Sequence, residues 1–150
     1  MRLYTFGNYY LSSIQQAVQS AHVVSELFVK YPNELHDMHS PDGKLYDWAT
    51  HHKTLICLNG GNNEELRVLY FDKLCHIGTN LGLPYARFNE DEQSLGGIMT
   101  CCGIVVPAKI YDGAQVLRGQ DGMQQLMVMA TTLPEELELA QLLNQYGLAR

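Results

Sequence analysis

An α/β domain with a mixed sheet is the fold class that this 150-residue sequence predicts. Three observations carry that expectation. Continuous apolar runs at 54–58 (TLICL) and 99–106 (MTCCGIVV) have the length and composition of buried strands. Helical patterns with capping signals, such as Ser12-x-x-Gln15 and Thr132-x-x-Glu135, alternate with strand-like segments. No internal repeat or low-complexity segment divides the chain, whose length suits one domain with a sizeable core. The expected architecture is a single domain over 1–150, with a mixed sheet of at least four strands flanked by helices.

The aromatic stretch 3–10 reads as a first strand. It leads directly into a helix over 12–30, SSIQQAVQSAHVVSELFVK. Ile14, Ala17, Val18, Ala21, Ser25 and Phe28 recur at steps of three or four and share one face, the face expected to pack. Ala17, Ser20 and Ala21 are small and suit close approach to a sheet. Gln15, Gln19, His22 and Glu26 form a polar row on another face, which is either solvated or the lining of a site. Ser12-x-x-Gln15 and Ser13-x-x-Gln16 both fit a capping box. Glu26 and Lys30 are an i,i+4 pair in the favoured order, and Pro32 stops the helix.

Residues 33–53 read as a long, irregular polar segment with a turn at Pro41-Asp42-Gly43. His36, His39, His51 and His52 fall here, with the one tryptophan, Trp48. His36-x-x-His39 has the spacing of a metal pair, but no third ligand is suitably spaced, so no metal is expected. Trp48 reads as a plug over the core edge. After the strand at 54–58, Asn59-Gly60-Gly61-Asn62-Asn63 is a turn. Asn63 caps a helix over 64–80 that turns Leu66, Leu69, Tyr70, Leu74 and Ile77 inward and ends at Gly82. The glycine pair lacks the GxxxxGK[ST] pattern of a phosphate loop, so turn chemistry explains it better.

A short strand at 84–88 and a polar loop at 89–97 (NEDEQSLGG) come next. The run at 99–106 is expected to be a central strand, in which Gly103 marks close backbone approach. Residues 108–120 are ambiguous, a loop with a short helix. Residues 124–130 read as one more strand. A last helix opens at 132–135, with Pro134 early. It carries Leu137, Ala140, Leu143 and Tyr146 as its apolar stripe and stops at Gly147.

Composition excludes several functional classes. No run of eighteen apolar residues exists, so no membrane span is expected. MRLYTFGNYY lacks the apolar stretch of a signal peptide. Cys57, Cys75, Cys101 and Cys102 sit in apolar segments without CxxC spacing and read as reduced, buried thiols of a cytoplasmic protein. A net charge of −6 disfavours broad, nonspecific binding to nucleic acid while leaving room for a local basic patch.

Three segments, in order, resemble the type 2 peptidyl-tRNA hydrolases of archaea and eukaryotes. That family has a strand followed by a helix with a Gly-Lys pair and then Ala-Ala-Gln-x-x-His-Ala. The matching stretch here is Gln15-Gln16-Ala17-Val18-Gln19-Ser20-Ala21-His22-Val23. The family's Leu-Gly-Leu-Pro segment corresponds to Leu81-Gly82-Leu83-Pro84. Its Thr-x-x-Gly-Ile-Gly-Pro strand corresponds to 100–107, TCCGIVVP. The resemblance covers residues 3–107 and leaves the C-terminal part, from Ala108, as an extension that packs on the sheet or forms a homodimer. It implies substrate contacts at Gln15 and Gln19, and a catalytic set drawn from His22, Glu90 or Asp91, and Thr100. Gln15 stands where the family carries its functional lysine, and a neutral amide cannot supply that charge.

Two functions follow from the resemblance. The first is an esterase acting on peptidyl- or aminoacyl-tRNA without a cofactor. Water attacks the ester carbonyl, positioned or deprotonated by His22 or by an acid at Glu90 or Asp91, while Gln19 and Thr100 orient substrate or stabilise the oxyanion. The second is a catalytically inactive binding protein on the same scaffold, holding a nucleotide, a nucleotide-derived signal or a protein partner. The bland alternatives are a satisfied core histidine at His22, a solvated acidic loop at 90–92 and an ordinary strand residue at Thr100. A purely structural or oligomerising module is a third reading, supported only by the C-terminal extension.

Overall fold

The computed structural model describes residues 1–32 and 37–149. Among them, a four-stranded mixed sheet in the order β2-β1-β4-β3 forms the centre of one α/β domain. Its strands are β1 (Arg2–Asn8), β2 (Leu55–Gly61), β3 (Tyr85–Asn89) and β4 (Met99–Val106). β1 runs parallel to β2 and antiparallel to β4, and β3 runs antiparallel to β4. β4 is central, as its unbroken apolar run requires, and every residue in it is buried.

Alternation along β1 and β4 divides the core into two layers. Leu3, Cys101 and Val105 pack against Val23 and Leu27 of α1 (Ser13–Lys30), Leu45 of α2 (Pro41–Asp47), and Trp48 in the π turn Trp48–His52. On the other face, Tyr4, Phe6, Cys102, Ile104 and Val106 meet a helical rod and two C-terminal helices. The rod is α3 (Asn63–Val68), a π segment (Leu69–Leu74) and α4 (Cys75–Leu81). Its Leu66, Leu69, Tyr70, Leu74 and Ile77 are buried as expected, and Gly82 ends it at φ 58°. The C-terminal helices are α6 (Ala108–Arg118) and α8 (Pro134–Gln145). Between β3 and β4 lies the short α5 (Glu92–Leu95). α7 (Gly122–Thr131) packs on α6 with no residue of its own buried.

α1 buries a different face from the one its apolar residues suggest. Ile14, Ala17, Val18, Ala21, Ser25 and Phe28 are exposed, Ile14 by 77%, while Gln16, Ser20, Val23 and Leu27 are buried. Of the two polar residues on the buried arc, Ser20 is partnered through its hydroxyl, while Gln16 is bonded through its amide nitrogen and its Oε1 has no partner among the described residues. Gln16 Nε2 donates to the Leu11 carbonyl at 3.0 Å. Ser20 Oγ donates to the Gln16 carbonyl at 2.8 Å and pairs with Thr5 Oγ1 at 2.8 Å. A hydroxyl bonded in this way costs little to bury, whereas the unbonded Gln16 Oε1 costs more. The close approach to the sheet comes from Ser20 and Gly103, not from Ala17 and Ala21.

Other segments also depart from expectation. Residues 124–130 lie in helix α7, not a strand. Gln, Leu, Met and Ala favour helix, and Asp121 caps it through the amides of Met123 and Gln124. Residues 108–120 contain a regular helix, α6. Pro41-Asp42-Gly43 is the first turn of α2, capped by Ser40 Oγ, which accepts from the Gly43 amide at 3.1 Å. Asn62, not Asn63, caps α3 in a reciprocal box with Glu65. Residues 59–61 belong to β2, which is a half-exposed edge strand. The segment 147–149 lies along that edge, with the Asn59 amide donating to Gly147 O at 2.9 Å and the Ala149 amide to Cys57 O at 3.0 Å. α8 starts at Pro134 without a side-chain cap, so Thr132 forms no capping box. It buries Leu139, Ala140, Leu142 and Leu143, leaving Leu137 half-buried.

Trp48 does close the core edge, its Nε1 donating to Thr54 O at 2.9 Å. All four cysteines are free, with Cys101 and Cys102 on opposite faces of the sheet. His36 lies outside the described residues. No helix among those described is long and apolar enough to cross a membrane.

Candidate functional site

The strand directions bring the ends of β1, β2 and β3 and the start of β4 to one edge of the sheet. The chain turns from β1 into α1 at that edge, so Ser12, Gln15 and Gln19 lie over it. Sites in α/β folds gather outside the carboxyl ends of parallel strands, where loops and helix starts converge.

A bulge supplies the decisive local geometry. The β3–β4 register runs from Phe88↔Cys101 to Asn89↔Met99, which leaves Thr100 as an extra residue on β4. Such a bulge can re-aim a side chain. Here Thr100 turns toward α1, where its Oγ1 donates to Gln19 Oε1 at 3.1 Å. Gln19 Nε2 donates to Glu90 Oε1 at 2.7 Å. One carboxamide therefore joins β4 to the residue that follows β3, and its two contacts fix its orientation. Glu90 is held through its own amide, which donates to Ile98 O at 3.0 Å, and Asn89 Nδ2 donates to Gly97 O at 2.8 Å across the same loop.

The structure thus joins three expected residues, Gln19, Glu90 and Thr100, directly. Of the two candidate acids, Glu90 takes the Gln19 amide. Asp91 accepts the Gly97 amide on its backbone carbonyl at 3.4 Å. His22 lies one turn beyond Gln19 and is exposed, so it is not a core histidine. Its ring stacks on Phe88 with centroids 4.3 Å apart and planes at 14°. Phe88 was not singled out in the sequence; its only signal there is its place at the end of a short strand, two residues before Glu90. Gln15 is committed elsewhere, its Oε1 accepting from the Ser12 amide at 2.9 Å and from Ser12 Oγ at 3.0 Å. Thr100 is 2% exposed, its hydroxyl turned to Gln19 and away from solvent.

Cys101, the neighbour of Thr100, is no nucleophile at neutral pH. Burial pushes its thiol up to about 12, against a smaller opposing contribution from Ser20. Among the described residues, no group of three or more His, Cys, Asp and Glu is placed to hold a metal ion. No protein-family model matches the chain, and no curated protein matches its sequence.

Proposed function

We propose that this protein is an ester hydrolase of the peptidyl-tRNA hydrolase type, acting on peptidyl- or aminoacyl-tRNA. The observation that carries this reading is the Thr100–Gln19–Glu90 chain. It links residues 81 and 71 positions apart that the family-like motifs singled out separately. Gln19 occupies one oxygen of the Glu90 carboxylate, leaving the other to accept a proton from an attacking water. Thr100 is a positioning residue, since its proton goes to Gln19. His22, held flat by Phe88, supplies the proton that the departing ribose oxygen requires. The water oxygen forms a bond to the ester carbonyl carbon and the carbon–ribose oxygen bond breaks, so one water is consumed per ester.

A second reading, a binding protein without catalysis, is favoured by Gln15. The position of the family lysine carries an amide tied into the helix cap, and Lys30 on the same helix is directed to Tyr85, its Nζ 3.6 Å from the ring centroid and donating to the Tyr85 carbonyl at 3.1 Å.

Turnover of a peptidyl-tRNA ester by purified protein decides between them. Glu90→Gln, Gln19→Ala and His22→Ala are each expected to lower turnover by about 10²-fold with folding intact, the usual cost of a lost acid–base or positioning group. Gln15→Lys is expected to raise it by restoring a cation beside an anionic substrate. No wild-type turnover above background, or turnover unchanged in Glu90→Gln, overturns the hydrolase reading.

A further inference from the structure

On the opposite face of the sheet from Gln19, a cavity of about 660 Å³ opens between β1, β2, α6, α8 and the segment 147–149. Its volume lies within the range of small-molecule sites. The chain carries 16 acidic and 10 basic residues, yet among the described residues this cavity is lined by two arginines, Arg2 and Arg118, and by no aspartate or glutamate. Neither arginine has a carboxylate partner among the described residues. Two guanidinium groups on a shared cavity, with no acid among the described residues paired to them, are a recognition element for an anion with several oxygens, because the planar fork of donors matches phosphate.

Each arginine is positioned by a neighbour. Arg118 Nε donates to Asn144 Oδ1 at 3.2 Å, and Asn144 Nδ2 donates to Ala114 O at 2.8 Å. That pair of bonds orients the guanidinium and leaves its terminal nitrogens free of Asn144. Arg2 lies over the Tyr111 ring, 4.0 Å from its centroid, which holds its plane in place while leaving its donors open. The lining also supplies flat apolar surface. Tyr146 is pinned edge-on to Phe6 with centroids 5.2 Å apart, and Tyr4 is buried beside it. Gln115 and Gln145 add carboxamides that both donate and accept. Arginine forks, aromatic faces and free amides together match a phosphate joined to a planar heterocycle.

We propose that this cavity binds a free mononucleotide, with the phosphate on Arg2 and Arg118 and the base against Tyr146. The site stands apart from the hydrolase reading, because it shares no residue with Gln19, His22, Glu90 and Thr100. Its walls are made by the C-terminal helices and by the first and second strands. Arg2 and Arg118 line one cavity only in the folded chain.

Isothermal titration and thermal shift of the full chain test the proposal with AMP, GMP, CMP and UMP, with adenosine, with inorganic phosphate and with the trinucleotide CCA. At least one mononucleotide is expected to bind and to raise Tm through preference for the folded state. Adenosine and phosphate, each lacking half of the recognised chemistry, are expected to bind at least about tenfold more weakly, and the trinucleotide no more tightly than the best mononucleotide. Arg118→Gln, on an exposed side chain, and Arg2→Gln are each expected to weaken binding by about tenfold or more, as loss of a charge-assisted contact does. Glu90→Gln is expected to leave binding unchanged. Absence of mononucleotide binding at millimolar concentration, binding unaffected in both arginine variants, or binding lost in Glu90→Gln would each overturn the site. So would a trinucleotide that binds tenfold tighter than any mononucleotide, which would assign the recognised phosphate to an RNA end. Because the hydrolase assay depends on Glu90 and this binding on Arg118, the two readings fail separately.

Discussion

At the scale of single residues, Thr100 shows how one hydroxyl can organise a site. Its proton goes to Gln19 Oε1, which directs the amide nitrogen to Glu90. Thr100→Val keeps the branched shape that the strand favours and removes the donor. Gln19 Oε1 then faces a methyl group, and the amide is free to rotate away from Glu90. The expected cost is about 1–2 kcal/mol in urea denaturation, the range for a hydrogen bond whose partner is left without a substitute. A Thr100→Val protein as stable as the wild type would show that this bond contributes nothing.

At the scale of elements, α1 approaches β4 through Gly103. A methyl group there would stand 2.9 Å from the Tyr4 carbonyl oxygen and 3.1 Å from Thr5 Cγ2 and Val23 Cγ1. The carbonyl belongs to the β1–β4 ladder and cannot withdraw without breaking it. Gly103→Ala is therefore expected to destabilise the protein by about 1–3 kcal/mol, as overpacking of a core does. Gly122, at the start of α7, is the matched control, since nothing lies within 4 Å of an added methyl. Gly122→Ala is expected to be neutral or to stabilise by about 0.4–1 kcal/mol through the unfolded chain. Thermal denaturation of both variants checks the pair, and equal losses in the two would refute the packing argument.

At the scale of the whole molecule, burial sets the response to alkali. It pushes the Cys101 thiol up to about 12, the Cys102 thiol well above its ordinary value, the Tyr31 phenol up to about 12 and the Tyr70 phenol higher still. These groups keep their protons in the folded state when the unfolded chain has lost them. Their contribution to stability is whole below pH 9, where the unfolded thiols are protonated, and is lost as pH rises from 9 to 12. Lys30 and Lys44 act in the opposite sense, because burial lowers them and the folded state favours their neutral forms. Burial raises the Tyr146 phenol as well, and with five groups against two, urea midpoints are expected to fall between pH 8 and pH 11; a midpoint that stays level or rises would contradict this balance. The same burial protects the thiols. At pH 7.5 a small alkylating reagent is expected to modify half-buried Cys57 and Cys75 in the native protein, and Cys101 and Cys102 only after denaturation. Rapid native labelling of all four would contradict it.

What the sequence by itself determined is whatever neighbours along the chain decide. Ser12 and Gln15 form their capping box, Gly82 stops a helix, and 99–106 is a central strand, because caps, left-handed backbone and apolar runs are local chemistry. Gln19, Glu90 and Thr100 stood out as separate candidates, but nothing in the chain's order shows that one amide joins them. Tertiary structure alone decided that. It placed an extra residue in β4 and turned Thr100 to the α1 side. It also chose which arc of α1 to bury, against the count of apolar residues, since the Ser20 hydroxyl finds Thr5 Oγ1 only once the strand and helix are together. The helix over 124–130 was local chemistry too, set by the Asp121 cap and helix-favouring Gln, Leu, Met and Ala, although its short apolar run has no period to announce it. Tertiary structure also gathered Arg2 and Arg118, distant in sequence, onto one cavity that no described acid lines. Hydrogen bonds and charges between residues distant in sequence depend on three-dimensional distance, and that distance exists only in the folded chain.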